Sequence, residues 1–324
     1  MKAVLCRKFG SPDELELADV PEPQAGPGEA VVRIRAAALN FFDTLIIAGK
    51  YQYKPPFPFS PAAEFAGVVE SIGPDVTDVA PGDQVMGNIG WGAAREAVAV
   101  PANILVKIPA GLDFDHAAGL TVTYGTTLYA LRVRAGLQAG ETLVVLGASG
   151  GTGLATVEIG KVMGARVIAC ASSDEKLEFA RKHGATETVN YAREDLRAAL
   201  KRLGGEHGID VIYDPVGGPY AEPAVRSMAW DGRYLVIGFA AGEIPKIPLN
   251  LVLLKNCDIR GVAWGAWVQR SPQQQRELMR DIVDWAAQGK LSAHVHATYP
   301  LADIASALKA IADRAVMGKI VLHP

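Results

Sequence analysis

The sequence predicts a two-part α/β protein, a small barrel-like β domain joined to a doubly wound parallel-sheet domain. Three observations carry this reading. Residues before about 120 alternate short β-rich pieces with proline and glycine turns. From about 121 onward the apolar periods lengthen, and strands alternate with helices. Within that second part, the apolar run Leu143–Leu146 ends in the glycine cluster Gly147 to Gly153 and leads into a helix. A chain of 324 residues has room for about two domains of ordinary size.

The elements follow in order. Ala30 to Ala36, Glu64 to Gly73 and Gly82 to Met86 read as strands of the first part. Strand 143–147 is followed by glycines at 150, 151 and 153, then a helix, then the strand Ala165 to Ala171. Both strands are rich in Val, Ile and Leu, as expected when both faces are buried. Helices follow over 175–183 and 195–203, with strands over 208–214 and 232–238 that extend the parallel sheet. Each of those strands ends in a glycine-containing loop, Val216-Gly-Gly218 and Gly238-Phe239. A helix over 275–288, a strand over 293–299, a helix from Leu301 and a last strand over 319–322 form a tail that returns to the first domain.

The glycine turn carries the first chemical inference. Ser149, Gly150, Gly151, Thr152 and Gly153 let the backbone approach a ligand, and the helix that starts there points unpaired N–H groups at a pyrophosphate. This is the dinucleotide site of a Rossmann fold, with Ala148 standing where the first glycine of the usual motif would be. The loop after the second strand selects the cofactor. A carboxylate there would bind both ribose hydroxyls, whereas this chain ends the strand with Ser172 and Ser173 and adds Lys176, which suits a 2′-phosphate. NADPH is the expected cofactor. Asp174 and Glu175 in the same loop fit the first turn of the next helix, where the dipole favours acids.

Hydrophobic residues make up 49% and charged residues 21%, with a formal net charge of −3. This balance gives no electrostatic footprint for nucleic acid and no basic run for a membrane surface. Two basic residues, Arg7 and Lys8, follow too short an apolar start for a signal peptide, so a cytoplasmic location is expected. Cys6, Cys170 and Cys257 are few and far apart, which fits thiols in a reducing compartment.

Six motifs point further: Asn40-Phe-Phe-Asp-Thr-Leu-Ile-Ile-Ala-Gly-Lys-Tyr51, Pro61-Ala-Ala-Glu-Phe-Ala-Gly-Val-Val69, Pro81-Gly-Asp-Gln-Val85, Gly136-Leu-Gln-Ala-Gly-Glu-Thr-Leu-Val-Val145, Asp214-Pro-Val-Gly-Gly218 and Gly318-Lys-Ile-Val-Leu322. In this order and spacing the chain resembles the zinc-free quinone oxidoreductase, or zeta-crystallin-like, branch of the medium-chain dehydrogenase/reductase superfamily. The resemblance implies a GroES-like β-barrel catalytic domain over 1–120 and 262–324, and a Rossmann NADPH-binding domain over 121–261. It also implies a homodimer formed through strands like Cys257 to Val262. Ala62 stands where the family has glycine. Zinc-dependent relatives carry Cys and His where this chain has Asn40 and Ala63, so no metal is expected.

The same resemblance distributes roles. Asn40 and Tyr51 line the substrate cleft, and with Tyr124 they are the candidate donors for an enolate or hydroquinone oxygen. Asn40 and Asp43 equally suit the cap of a helix over 41–48, and Glu64 reads as an organising carboxylate. Thr127 is expected on the cofactor phosphates, Tyr191 with Ser172 and Lys176 at the adenosine phosphate, and Phe239 and the backbone around Val262 to Trp264 at the nicotinamide; Tyr191 equally suits a core position, and Trp264 a dimer interface. Lys319 either reaches the cofactor from the tail or flanks the last strand. His294 and His296 alternate along a strand with no third ligand. The expected activity is NADPH-dependent hydride transfer to a quinone, an enone or a related activated double bond, with substrate in an interdomain cleft. An enoyl or acryloyl thioester reductase and a nucleotide-binding protein with little turnover are the alternatives.

Overall fold

A computed structural model describes residues 1–324. One compact unit comprises Met1–Val122 and Met279–Pro324, the other Thr123–Leu278. In the first unit, β1 (Lys2–Leu5) and β2 (Glu16–Asp19) form a small antiparallel sheet. The long β3 (Glu29–Leu39) leads into α1 (Phe41–Ile47) and is followed by β4 (Glu64–Ile72), β5 (Gln84–Asn88), β6 (Ala97–Pro101) and β7 (Val106–Lys107). β3 organises this sheet: β4 pairs along it on one edge, and β6 takes the first half of the other edge, over 29–33. The β3–β4 ladder slips between Ile34 and Ala36. Gly67 sits beside this slip, so close to the Arg33 carbonyl that a Cβ would lie 2.2 Å from it. A short α2 (Phe114–Ala118), capped by the Asp113 carboxylate, brings the chain to the second unit.

The second unit starts in α3 (Thr121–Leu128) and alternates strictly thereafter. Its elements are β8 (Thr142–Leu146), α4 (Gly151–Val162), β9 (Arg166–Ala171), α5 (Asp174–Lys182), β10 (Glu187–Asn190) and α6 (Leu196–Gly204). They continue with β11 (Ile209–Asp214), α7 (Ala221–Arg226), β12 (Met228–Val236), α8 (Leu249–Lys255), β13 (Asp258–Gly261) and α9 (Trp264–Arg270). The sheet order is β10-β9-β8-β11-β12-β13, and every pairing is parallel. Leu143–Leu146 and Val167–Cys170 are wholly buried, which explains their unbroken apolar character. Chain order reverses between β8 and β11. In such a sheet, ligands bind beyond the carboxyl ends of the strands at that reversal.

After α10 (Pro272–Ala287) the chain adds β14 (Val295–Pro300), α11 (Ile304–Ala312) and β15 (Lys319–His323) to the first unit. β15 runs antiparallel to Ala37–Leu39, completing the edge of β3 that β6 leaves open. Ile304, Leu308, Ile320 and Leu322 join Val32, Leu39 and Phe65 in one apolar core. The second crossing falls at Met279 rather than at 262. The reason is packing: the Trp264 ring lies over Gly125, and Trp267 stacks on Tyr129 with ring centroids 4.4 Å apart. His294 precedes its strand and His296 lies exposed within it.

The tightest approach in the second unit lies between β8 and α4. A Cβ at Gly153 would lie 2.1 Å from the Gly147 carbonyl oxygen and 2.9 Å from the Ala148 Cα, and backbone atoms cannot yield. Gly153→Ala is therefore expected to destabilise the protein by about 1–3 kcal/mol, read as a lower urea midpoint. A midpoint equal to that of the parent would contradict this packing.

Candidate active site

The chain leaves β3 at Leu39, and the next residue begins a buried polar cluster in the first unit. Glu64, at the start of β4, is wholly buried and accepts four hydrogen bonds. Its Oε1 receives Asn40 Nδ2 at 3.0 Å and Lys319 Nζ at 2.8 Å. Its Oε2 receives Thr121 Oγ1 at 2.8 Å and the Val122 amide at 2.7 Å. Lys319, at the head of β15, spends its three ammonium hydrogens on Leu39 O at 3.0 Å, Asn40 Oδ1 at 2.7 Å and Glu64 Oε1. Removing one partner of such a buried pair costs about 3–5 kcal/mol, because the other charge is left without compensation.

Asp43 sits one turn into α1 and is also wholly buried. Its Oδ2 accepts the Asn40 amide at 2.7 Å, and its Oδ1 accepts the Ala62 amide at 3.1 Å. Ala62 has φ 63°, a left-handed conformation that favours glycine. The backbone bend that a glycine would make freely is thus kept in this chain, with the Asp43 carboxyl holding the strained peptide. Burial pushes the Asp43 carboxyl up to about 7, against the pull of the Asn40 amide, the Lys319 ammonium and the Ala62 amide. Tyr51 is half-buried, its ring stacked on Phe42 at 5.4 Å, and burial raises its phenol.

In the second unit the glycine turn lies at the carboxyl end of β8, at the sheet's reversal. Its left-handed residue is Gly147, with φ 64°. Ala148 can therefore carry a side chain where the usual motif has glycine. The N-cap of α4 is Gly150, and no side chain caps the helix. Its first-turn N–H groups and the aligned peptide dipoles suit an anion. Across the reversal, Asp214 at the end of β11 accepts the Val216 amide at 2.7 Å, the Gly217 amide at 2.8 Å and the Tyr234 hydroxyl. This buried carboxylate folds the Val216–Gly218 loop, where Gly217 and Gly218 have φ 65° and 58°. Phe239 is exposed beyond the end of β12, its ring against Gly217.

The rim after β9 matches the 2′-phosphate expectation in its residues. Ser172 is exposed, whereas Ser173 caps α5 by accepting the Lys176 amide at 3.3 Å. Of the two acids here, Asp174 accepts Asn190 Nδ2 at 2.6 Å and pairs with the Arg193 guanidinium, while Glu175 lies in the first turn of α5. Tyr191 packs against Tyr220 with ring centroids 4.3 Å apart. Through Asp174, Arg193 brings a further cation to the start of α5, and the sequence reading passed over it because nothing in its spacing marks it.

Four residues with expected roles are engaged in contacts within the chain. Lys319 is bound inside the first unit to Glu64, Asn40 and Leu39, at the head of the last strand. The Tyr124 hydroxyl is buried and donates to Glu158 at 2.7 Å, and Glu158 in turn bonds His183 at 2.7 Å. Thr127 is wholly buried with its hydroxyl 3.1 Å from that of Tyr213. Trp264 is buried over Gly125 and donates its indole N–H to Gln275 at 3.0 Å. Glu64 and Asp43 organise their surroundings as buried carboxyl groups, and Asp214 is the organising acid that the sequence reading left without a role; its one available signal is an acid at the end of an apolar run.

The Asp43 carboxyl has a testable consequence. Because its folded value of about 7 lies above the unfolded value of 3.8, the folded state binds the extra proton between these limits. Its contribution to stability is complete below about pH 4 and is lost as pH rises through about 7. Asp43→Asn is expected to lower overall stability but to flatten its fall between pH 4.5 and 7.5, measured by urea unfolding. An unchanged slope would show that Asp43 does not hold that proton.

Comparison with known proteins agrees with the fold of each unit. Residues 26–110 match the alcohol dehydrogenase GroES-like domain, and residues 151–284 match the family model described as zinc-binding dehydrogenase. The chain is 38% identical to the quinone oxidoreductase-like protein 2 homolog of Nematostella vectensis, covering 99% of this chain and 88% of that protein. It is 31% identical to the quinone oxidoreductase of Pseudomonas aeruginosa over 100% of this chain and 99% of that one. The fold superposes with a TM-score of 0.93 on the Escherichia coli quinone oxidoreductase crystallised with NADPH, at 26% identity and full coverage of both chains. The chain belongs to the zinc-independent quinone oxidoreductase branch of the medium-chain dehydrogenase/reductase superfamily.

Proposed function

We propose that this protein is an NADPH-dependent, zinc-independent reductase that delivers hydride to a quinone or a related activated double bond. The observation that carries the reading is the uncapped glycine N-terminus of α4 at the sheet reversal, beside a rim whose one strand-proximal acid, Asp174, is already paired. The residues fit the cofactor: the α4 amides take the pyrophosphate, and Ser172, Lys176 and Arg193 take the 2′-phosphate. Phe239 and the Asp214-held loop would border the nicotinamide end. Bound NADPH supplies the hydride.

The protein's own part is placement and charge. As hydride reaches the acceptor carbon, negative charge gathers on the conjugated oxygen, and a fixed N–H donor there lowers the barrier. Asn40 Nδ2 is that donor in this reading, with the Tyr51 ring closing the same loop. Quinones and enones carry their own electrophilic carbon, so this chemistry asks nothing of a metal ion. We also place the protein in the cytoplasm, a reducing compartment in which Cys6, Cys170 and Cys257, all unpaired and buried, need no partner.

A homodimer completes the proposal. β13 is the outer strand of its sheet, with unpaired backbone groups along one edge. A second copy running antiparallel about Ile259 would set Asp258 of each copy against Arg260 of the other. Nearby, Leu249 and Leu253 of α8 are each 79% exposed and Leu254 is 71% exposed, an apolar face suited to burial between copies.

The functional reading is tested by NADPH oxidation with a quinone, an enone and an acyl-CoA in parallel, with turnover expected for the first two. Lys176→Ala should raise the NADPH KM about tenfold or more while leaving NADH within about threefold; equal losses would sink the phosphate assignment. Ile259→Asp should convert dimer to monomer in analytical ultracentrifugation, and an unaltered sedimentation coefficient would place the interface elsewhere.

A further inference from the structure

The Asn40 carboxamide is gripped by two partners of opposite kind. An ammonium group only donates, and Lys319 Nζ lies 2.7 Å from Asn40 Oδ1. A carboxylate only accepts, and Glu64 Oε1 lies 3.0 Å from Asn40 Nδ2. Flipping the amide would face nitrogen with ammonium and oxygen with carboxylate, so both contacts would become repulsive. Shape does not distinguish the two ends of a carboxamide; here the charges do. With Oδ1 held by Lys319 and one N–H given to Glu64, the side chain has one N–H left to give.

The grip itself is shielded. Lys319 and Glu64 are 3% and 0% exposed, whereas Asn40 keeps 8%. Gly119 makes room for the lysine stem, since a Cβ there would lie 3.2 Å from Lys319 Cγ. The ammonium has no fourth hydrogen with which to contact a ligand, because Leu39 O and Glu64 Oε1 take the other two.

We propose that Lys319 is a positioning residue that locks the Asn40 carboxamide as a one-way donor, so that the site selects acceptors presenting a carbonyl oxygen and offers nothing to a group that only donates. This rests on the reading above that Asn40 meets the acceptor. Lys319 acts at one remove: it fixes which end of the amide is presented, and Asn40 makes the contact. The oxygen that gains charge during reduction then always faces N–H.

A double-mutant cycle tests this, with 1,4-benzoquinone as acceptor and the NADPH Kd from fluorescence as the control for an intact nucleotide unit. Asn40→Ala and Lys319→Met are each expected to lower kcat/KM about 10- to 100-fold, mainly through kcat, with the NADPH Kd within about threefold. The double variant should fall no further than Asn40→Ala alone, within about threefold. Lys319→Arg, which keeps a donor at Oδ1, should recover most of the loss. If Asn40→Ala is unimpaired, the assignment of Asn40 fails and this inference falls with it. If Asn40→Ala is impaired but Lys319→Met is silent, or the two losses multiply, only the role of Lys319 is overturned. Should Lys319→Met not fold, the nitrogen-15 side-chain signal of Asn40 in the parent decides, identified by its loss in Asn40→Ala. One pair of amide protons supports a locked sense, and two exchanging pairs overturn it.

Discussion

The first unit depends on a single electrostatic fact: an ammonium group has been taken almost completely out of water. Lys319 can stay charged there because Glu64 lies 2.8 Å away and two more oxygens complete its shell. Those partners come from the end of β3, the residue that starts α1, and the start of β4. Thr121 and Val122 are tied in through the other carboxylate oxygen. One ion pair therefore fixes the meeting point of three segments and the entry to α3. Buried ion pairs often add little stability over well-packed apolar residues; what this one supplies is the placement of the groups it joins.

The second unit is governed by the close approach of α4 to β8. The approach demands a left-handed residue, a residue without a side chain against a carbonyl, and a helix start free of side-chain caps. Gly147, Gly153 and Gly150 meet these demands one each. On the other side of the sheet reversal, loop shape comes from a buried acid, since Asp214 accepts two successive backbone amides and a tyrosine hydroxyl. The two sides of the ligand crevice are thus built by different means, glycine on one and a desolvated carboxylate on the other.

This division explains what the sequence disclosed. Strand and helix order and the glycine turn were legible because each is written in neighbouring residues. Even the missing glycine at 148 was a local matter, answered by Gly147 one position earlier. The partners of Lys319 were not legible, since Glu64 and Asn40 lie 255 and 279 positions away in the chain. The partner of the Tyr124 hydroxyl was not legible for the same reason: it is Glu158, 34 residues on. The seat of Trp264 over Gly125 is likewise a tertiary contact that no neighbouring residue marks. The return crossing was missed because its marker is tertiary, the stacking of Trp267 on Tyr129.

The charge state of the cluster narrows the kind of acceptor it suits. Lys319 and Glu64 carry opposite charges 2.8 Å apart, and Asp43, pushed up to about 7 by burial, is largely protonated in mildly acidic solution. The group that surrounds Asn40 is then close to electrically neutral, and what it presents is the dipole of an oriented N–H. A fixed dipole discriminates little between neutral ground states, but it stabilises an oxygen that acquires charge during the reaction, which is where a donor accelerates chemistry. A cationic site would hold an anionic substrate before any chemistry occurred and gain less in the transition state. In the proposed reading of Asn40 as the donor, burying the lysine behind the asparagine keeps its charge out of substrate binding while using it to orient the one N–H that remains.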